Sequence, residues 1–181
     1  SVMNGFDYRT PDTVRKVLFS GEVLPIKHYR VWKKYLPQTM FVNLYGPTEV
    51  TCNCTYYVLD PKCEYELTDV IPIGKAFPNE TIFLLDETDQ QVTEAGIAGE
   101  ICVSSSELAL GYYNAPDKTA QVFVQNPLNH RYDERIYRTG DLAKYDAQGN
   151  LVYISRKDFQ IKHLGHRIEL GEIEVAANAV D

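Results

Sequence analysis

The sequence predicts an α/β fold: a strand–helix–strand unit near its start, then short strands that curl into a sandwich or distorted barrel. Three observations lead there. Two apolar runs, residues 14–19 and 40–44, bracket a helical stripe, a pattern that implies a right-handed parallel crossover. After Glu49 the apolar spacing falls to two. The breaks between the later segments are rich in Gly, Pro, Asn and Asp, the residues that turns favour. At 181 residues, 44% of them hydrophobic, the chain has material for one domain and part of another.

Residues 1–10 are polar and irregular, as a frayed end would be. Residues 14–19 read as a strand closed by Ser20-Gly21. Pro25 opens a helix that runs to about Tyr35, since proline suits a first helical turn. Ile26, Tyr29, Val31 or Trp32, and Tyr35 or Leu36 form its apolar stripe, and Pro37 ends it. Residues 40–44 form the next strand, after which Gly46-Pro47 turns the chain. Residues 52–59, 81–85, 99–103 and 150–154 read as further strands. Residues 116–124 read as a short helix carrying Ala120, Val122 and Phe123. Residues 146–150, Asp-Ala-Gln-Gly-Asn, read as a hairpin turn. Residues 156–162 read as a linker, and a helix is expected over 169–180.

Composition narrows the function. A net charge of −7 argues against a nucleic-acid surface. No apolar run approaches the length of a membrane span, and no leader is visible. The cytoplasm follows by default. The cysteines are Cys52, Cys54, Cys63 and Cys102, with no Cys-x-x-Cys pair. Cys52 and Cys54 would share one face of a strand. Buried thiols in a reducing compartment are the expected reading. His163 and His166 have helical metal-ligand spacing, but their region reads as loop and no third ligand lies near, so no metal is assigned to them.

The chemistry concentrates in Asn43-Leu44-Tyr45-Gly46-Pro47-Thr48-Glu49-Val50-Thr51. The end of a strand in an open α/β sheet is where ligands bind. Gly46 permits close approach, and Pro47 fixes φ. The Thr48 hydroxyl can donate to a phosphate oxygen. Glu49 can hold a hard divalent cation that bridges phosphates. Tyr45 offers a flat face to a nucleobase. An ordinary strand-to-strand turn is the plainer alternative.

This segment resembles the core motif of the adenylate-forming enzymes. Four further segments resemble that superfamily in the right order. They are Leu18-Phe19-Ser20-Gly21-Glu22-Val23-Leu24-Pro25; Gly99-Glu100-Ile101-Cys102-Val103 with Leu110-Gly111-Tyr112-Tyr113-Asn114; Tyr137-Arg138-Thr139-Gly140-Asp141-Leu142; and Arg156 to Lys162 followed by Gly165 to Glu174. The resemblance is to the amino-acid adenylation domains of nonribosomal peptide synthetases and to D-alanine–carrier-protein ligases. It implies a fold in which residues 1–155 are the later part of the large N-terminal domain, including its β-barrel subdomain. Residues 156–181 would be the hinge and the start of the C-terminal lid.

The resemblance also implies roles. Glu49 would bind Mg²⁺, and Thr48 would contact the α-phosphate of ATP. Tyr45 would stack on adenine, with Gly21, Glu22 and Val23 on the opposite side and Asn43 on the amino group. Asp141 would accept from the ribose hydroxyls, Arg156 would reach the ribose, and Tyr153 stands at a nucleotide-contact position. A turn or cap residue is the plainer reading of Asp141, a core side chain that of Tyr153, and a surface ion pair that of Arg156. Leu18, Ser20, Leu44, Cys52 and Asn53 would line the acyl pocket, and Asp158 would be the hinge. A solvated helix start is the plainer reading of Glu169, Glu172 and Glu174. The implied partners are an amino acid or other carboxylic acid and a carrier protein bearing phosphopantetheine; no nucleic acid and no membrane is implied.

Some features depart from the pattern. The family's Gly/Ser/Thr-rich phosphate loop and its catalytic lysine are not in these 181 residues, so an internal piece of a larger enzyme, inactive alone, is expected. Ser155 stands in place of a glycine, and His163-Leu164 in place of an apolar-Arg pair. Two alternatives remain: a piece of an acyl-CoA or aryl-CoA ligase, and a noncatalytic nucleotide-binding or interaction module.

Overall fold

A computed structural model describes residues 5–157, 160–163 and 166–169. Strand β1 (Lys16–Phe19) pairs in parallel with β2 (Met40–Tyr45), and helix α1 (Ile26–Tyr35) lies between them in sequence. This is the expected βαβ unit, with Leu18 opposite Val42 and Phe19 opposite Asn43. Helix α1 forms where proline fixes its first turn and a polar face alternates with an apolar one. Ile26 and Tyr29 are buried, as is Leu36 beyond its end, while Val31 stays exposed. Tyr29 meets Phe41 and Tyr65 edge-on, with centroids 5.3 and 5.6 Å away. Lys33 and Lys34 occupy the last turn, where the helix dipole favours positive charge.

β2 next pairs antiparallel with β3 (Thr55–Val58), which pairs with β4 (Lys75–Ala76). The remaining strands make an antiparallel six-stranded sheet that curls as half a barrel: β5 (Glu80–Leu85), β6 (Gln91–Val92), β7 (Ala98–Ser105), β8 (Phe123–Gln125), β9 (Arg135–Tyr145) and β10 (Leu151–Arg156). β7 covers one edge of β9. The other edge is shared by β8 along Arg135–Tyr137 and by β10 along Asp141–Tyr145. Asp146 turns the β9–β10 hairpin as expected, its carboxylate accepting from the Gln148 and Asn150 amides. The two sheets meet where Ile73 and Gly74 exchange backbone hydrogen bonds with Leu151.

One core lies under α1 around Leu24, Ile26, Tyr29 and Phe41. A second fills the curl of the six-stranded sheet. It includes Leu84, Ile101, Val103 and Tyr137 of that sheet, with Tyr45, Val50, Cys54 and Ile73 from the first unit.

Several expectations change. The strand expected over 52–59 starts only at Thr55. Thr51 and Cys52 have φ of 54° and 90°, which no strand accommodates, so Cys52 is exposed and Cys54 buried rather than sharing a face. Burial pushes the Cys54 and Cys102 thiols up to about 12, and Glu80 and Glu100 respectively add to the push. The eleven-residue β9 was not expected; it contains Asp141, which is therefore no turn or cap residue. Helix α2 (Pro116–Val122) stops before Phe123, which begins β8. Arg156 still belongs to β10. The linker expected as far as Lys162 and the loop expected around the two histidines hold strands β11 (Gln160–His163) and β12 (His166–Glu169), in which His163 pairs with His166. Asp158 and the rest of the expected final helix lie outside the described residues.

Candidate functional site

Between β2 and β3 the chain doubles back over Gly46. A Cβ there would lie 2.4 Å from the Asn53 Cα and 2.6 Å from the Cys52 carbonyl oxygen, so only glycine lets the two strands close. The Cys54 amide donates to the Tyr45 carbonyl at 2.8 Å. Within this loop Thr48–Val50 make one 3₁₀ turn after Pro47. Thr48 is exposed on it and Glu49 buried.

The segment after β7 clamps this turn. The Ala109 amide donates to the Glu49 carbonyl at 2.8 Å, and Thr51 Oγ1 donates to the Glu107 carbonyl at 2.7 Å. Tyr112 donates its hydroxyl to Glu49 Oε1 at 2.5 Å. Among the described residues no three His, Cys, Asp or Glu side chains converge on a metal-like centre. A phosphate-bridging Mg²⁺ needs only one or two carboxylates beside phosphate and water oxygens. Glu49 supplies one carboxylate at this turn.

Tyr45, Asp141 and Arg156 come together from three strands. Tyr45 donates to Asp141 Oδ2 at 2.6 Å, and Arg156 Nη1 donates to Oδ1 at 3.0 Å and to the Thr139 carbonyl at 3.1 Å. The Asp141 side chain is 4% exposed and that of Arg156 10%, so this is a buried pair. Burial pushes the Tyr45 phenol well up, and the Asp141 charge beside it pushes the same way. Each carboxylate oxygen has two lone pairs, so Asp141 keeps acceptor capacity beyond these bonds.

The expected acyl-pocket residues are only partly gathered. Ser20 donates to Asn53 Oδ1 at 2.5 Å, and the Asn53 amide approaches Cys52 Sγ at 3.2 Å. A cleft of about 410 Å³ at the end of β1 takes in Leu18, Ser20, Glu22 and Val23, together with His28 and Trp32. Leu44 sits half-buried on β2. Gly21 (φ +96°) is exposed beside the cleft. Asn43 is buried, with its amide on the Pro72 carbonyl at 2.9 Å. Tyr153 packs against the barrel core from β10. Asp158 is not described.

Sequence reasoning gave no role to Glu100, Tyr112, Arg138 or Lys157. Arg138 donates to Glu100 Oε2 through Nε at 3.0 Å and Nη2 at 2.8 Å, and to Asp89 at 2.7 Å. Lys157 reaches the same Glu100 oxygen at 3.2 Å. Although burial alone would lower it, the hydrogen bonds Arg138 donates to Glu100 and Asp89 raise its pKa. All four lie inside the motifs that carry the resemblance, which is the signal that could have found them.

Residues 3–113 match the family model described as "AMP-binding enzyme". The chain is 43% identical over 162 residues to surfactin synthase subunit 1 of Bacillus subtilis (strain 168), a match covering 90% of the chain and 4% of that protein. Among solved structures it resembles holo-PA1221, an NRPS protein containing adenylation and PCP domains bound to a vinylsulfonamide inhibitor. The TM-score is 0.85 and the identity 37%, covering 94% of this chain and 29% of that one. It also resembles the Vibrio cholerae adenylation domain AlmE in complex with glycyl-adenosine-5′-phosphate, with TM-score 0.79 and 31% identity, covering 92% of this chain and 30% of that one. The chain thus spans a small part of its curated relatives and about a third of these structures.

Proposed function

Because the chain belongs to the AMP-binding enzyme family, as a fragment of an adenylation domain, we propose that it supplies the nucleotide side of an amino-acid-activating site. The whole enzyme would join an amino acid to ATP and pass the product to a carrier protein. A carboxylate oxygen of the amino acid attacks the α-phosphorus of ATP, and the bond to the leaving pyrophosphate breaks. A phosphopantetheine thiol then attacks the acyl carbon, and AMP leaves. The acid is its own nucleophile, so the protein's work is positioning and charge neutralisation.

The carrying observation is the Tyr45–Asp141–Arg156 junction, which joins three separate motifs at one buried carboxylate. In the proposed site Asp141 accepts from ribose hydroxyls, Arg156 holds Asp141 toward them, and Tyr45 presents its ring to adenine. Thr48 donates to the α-phosphate, and Glu49 holds Mg²⁺. That ion, when bound, offsets phosphate charge; Tyr112 fixes the carboxylate that would hold it. Gly21, Glu22, Val23, Asn43 and Tyr153 complete the nucleotide contacts. Leu18, Ser20, Leu44, Cys52 and Asn53 face the acid. The division into residues 1–155 and 156–181, with Asp158 as hinge, belongs to the same proposal. The glycyl-adenylate in AlmE and the PCP domain of holo-PA1221 support an amino acid substrate and a carrier acceptor. No helix among the described residues is long and apolar enough to cross a membrane; use of ATP favours a cytoplasmic setting.

The test is ATP–pyrophosphate exchange by the full-length protein with D- and L-amino acids, fatty acids and aryl acids. Exchange with an amino acid, followed by loading of a phosphopantetheine carrier, is expected. Exchange with fatty or aryl acids alone, and transfer to CoA, would replace this reading with an acyl-CoA ligase. No exchange by folded protein that binds Mg·ATP would point to the noncatalytic module. The isolated 181-residue chain is expected to be nearly inactive, since the resemblance puts the phosphate loop and lysine outside it.

A further inference from the structure

We infer that Glu100 is a positioning residue that sets the aim of Asp141 and Arg156 together; this rests on the reading of Asp141 as the ribose carboxylate. The six-stranded sheet carries a defect. Gly140, at φ +72°, interrupts β9 where its outer edge passes from β8 to β10. Pairing slips on both flanks, between Glu100 and Cys102 on β7 and between Tyr153 and Ser155 on β10. Bulges of this kind re-aim the side chains that follow.

Glu100 occupies the gap. Its Oε1 accepts from the Gly140 amide at 3.1 Å, and its Oε2 accepts from Arg138 and Lys157. The Lys157 amide donates to the Gly140 carbonyl at 2.8 Å. Both polar groups of Gly140 are therefore held by this cluster. Asp141 is the next residue after Gly140, and Arg156 the one before Lys157. The two halves of the buried ion pair each stand one residue from a Glu100 contact.

The charges also point to placement rather than stability. Glu100 and Asp89 balance Arg138 and Lys157, and the Glu100 side chain is 6% exposed. Burying such a group costs desolvation, and apolar replacements are often no less stable. What an apolar group cannot do is hold the Gly140 amide and Lys157 at one point.

The experiment measures the dissociation constants of ATP and 3′-deoxyATP for the full-length protein and its variants Glu100→Gln, Lys157→Met and Asp141→Asn. The readout is the ratio of the two constants, because a general loss of structure weakens both nucleotides alike. Asp141→Asn is expected to cut the preference for ATP about tenfold, Glu100→Gln by five- to tenfold, and Lys157→Met by two- to threefold, with 3′-deoxyATP binding little changed. An unaltered ratio in folded Glu100→Gln, where Asp141→Asn lowers it, overturns the inference and leaves the ribose reading standing. An unaltered ratio in Asp141→Asn overturns the ribose reading and the inference with it. Should Glu100→Gln fail to fold, Lys157→Met decides alone: its lysine is 39% exposed, and an unaltered ratio in the folded variant refutes the proposal.

Discussion

Glu134 places a carboxylate among Ser104, Asn129 and Asn126, which donate to it at 2.7, 2.7 and 3.0 Å. Those bonds hold its pKa below the usual carboxylate range. Its contribution to stability is therefore complete above the unfolded value of about 4.3 and lost as pH falls through the lower folded value. Glu134→Gln should lower the urea midpoint at pH 7, and the two proteins should converge as pH falls through the lower folded value; parallel curves at every pH would contradict this. Tyr112→Phe removes the hydrogen bond that orients Glu49. Losing such an outer partner costs metal sites about tenfold or more in affinity. A Mn²⁺ titration of the nucleotide-bound full-length protein by electron paramagnetic resonance should show about that loss, with metal-free nucleotide affinity unchanged. Asp141 and Glu49 stand out in the sequence because they sit in ordered motifs. Their pairings do not: Tyr45 lies 96 residues from Asp141 and Tyr112 lies 63 from Glu49, and no local pattern encodes them.

Among elements, α1 was legible almost to the residue, since proline brackets it and its stripe is apolar. β9 was hidden for a physical reason. Its bulge at Gly140 shifts the alternation midway, and Arg135, Arg138, Asp141 and Lys144 give it a polar composition although Asp141 is buried. Gly74 illustrates how strictly some junctions are fixed. It has φ +83°, and a Cβ would lie 1.9 Å from the Tyr56 carbonyl oxygen, a backbone atom that cannot swing away. Gly149, at φ +74°, has nothing within 4 Å of that position. Gly74→Ala should cost about 3 kcal/mol or more through clash and backbone strain together, and Gly149→Ala only about 1–2 kcal/mol through strain. Equal losses in urea unfolding would mean that the Gly74 junction gives way.

On the scale of the molecule, the barrel core borrows Tyr45, Val50, Cys54 and Ile73 from the first unit. The two sheets should therefore melt together. Leu84 is fully buried in that shared core, and Leu84→Ala should cost about 2–5 kcal/mol. The chain's one tryptophan, Trp32, lies on α1, beside the other core. Its fluorescence midpoint should fall in step with the circular dichroism of the sheets. A Trp32 transition untouched by Leu84→Ala would show that the units unfold separately. This shared core was the least legible level, because the sequence predicts which segments are apolar but not which sheets they close together.

The four free thiols give the same molecule a built-in stopwatch. Cys52 and Cys63 are exposed, whereas Cys54 and Cys102 are buried, their pKa values pushed up to about 12. The thiolate is the reactive form. A maleimide or iodoacetamide pulse at neutral pH should therefore mark two cysteines at once and the other two only when a molecule opens. Mass spectrometry then counts open molecules directly, and the order in which Cys54 and Cys102 acquire label shows whether the core inside the curl or the cluster of Phe83, Leu85 and Ile136 on the sheet's other face opens first.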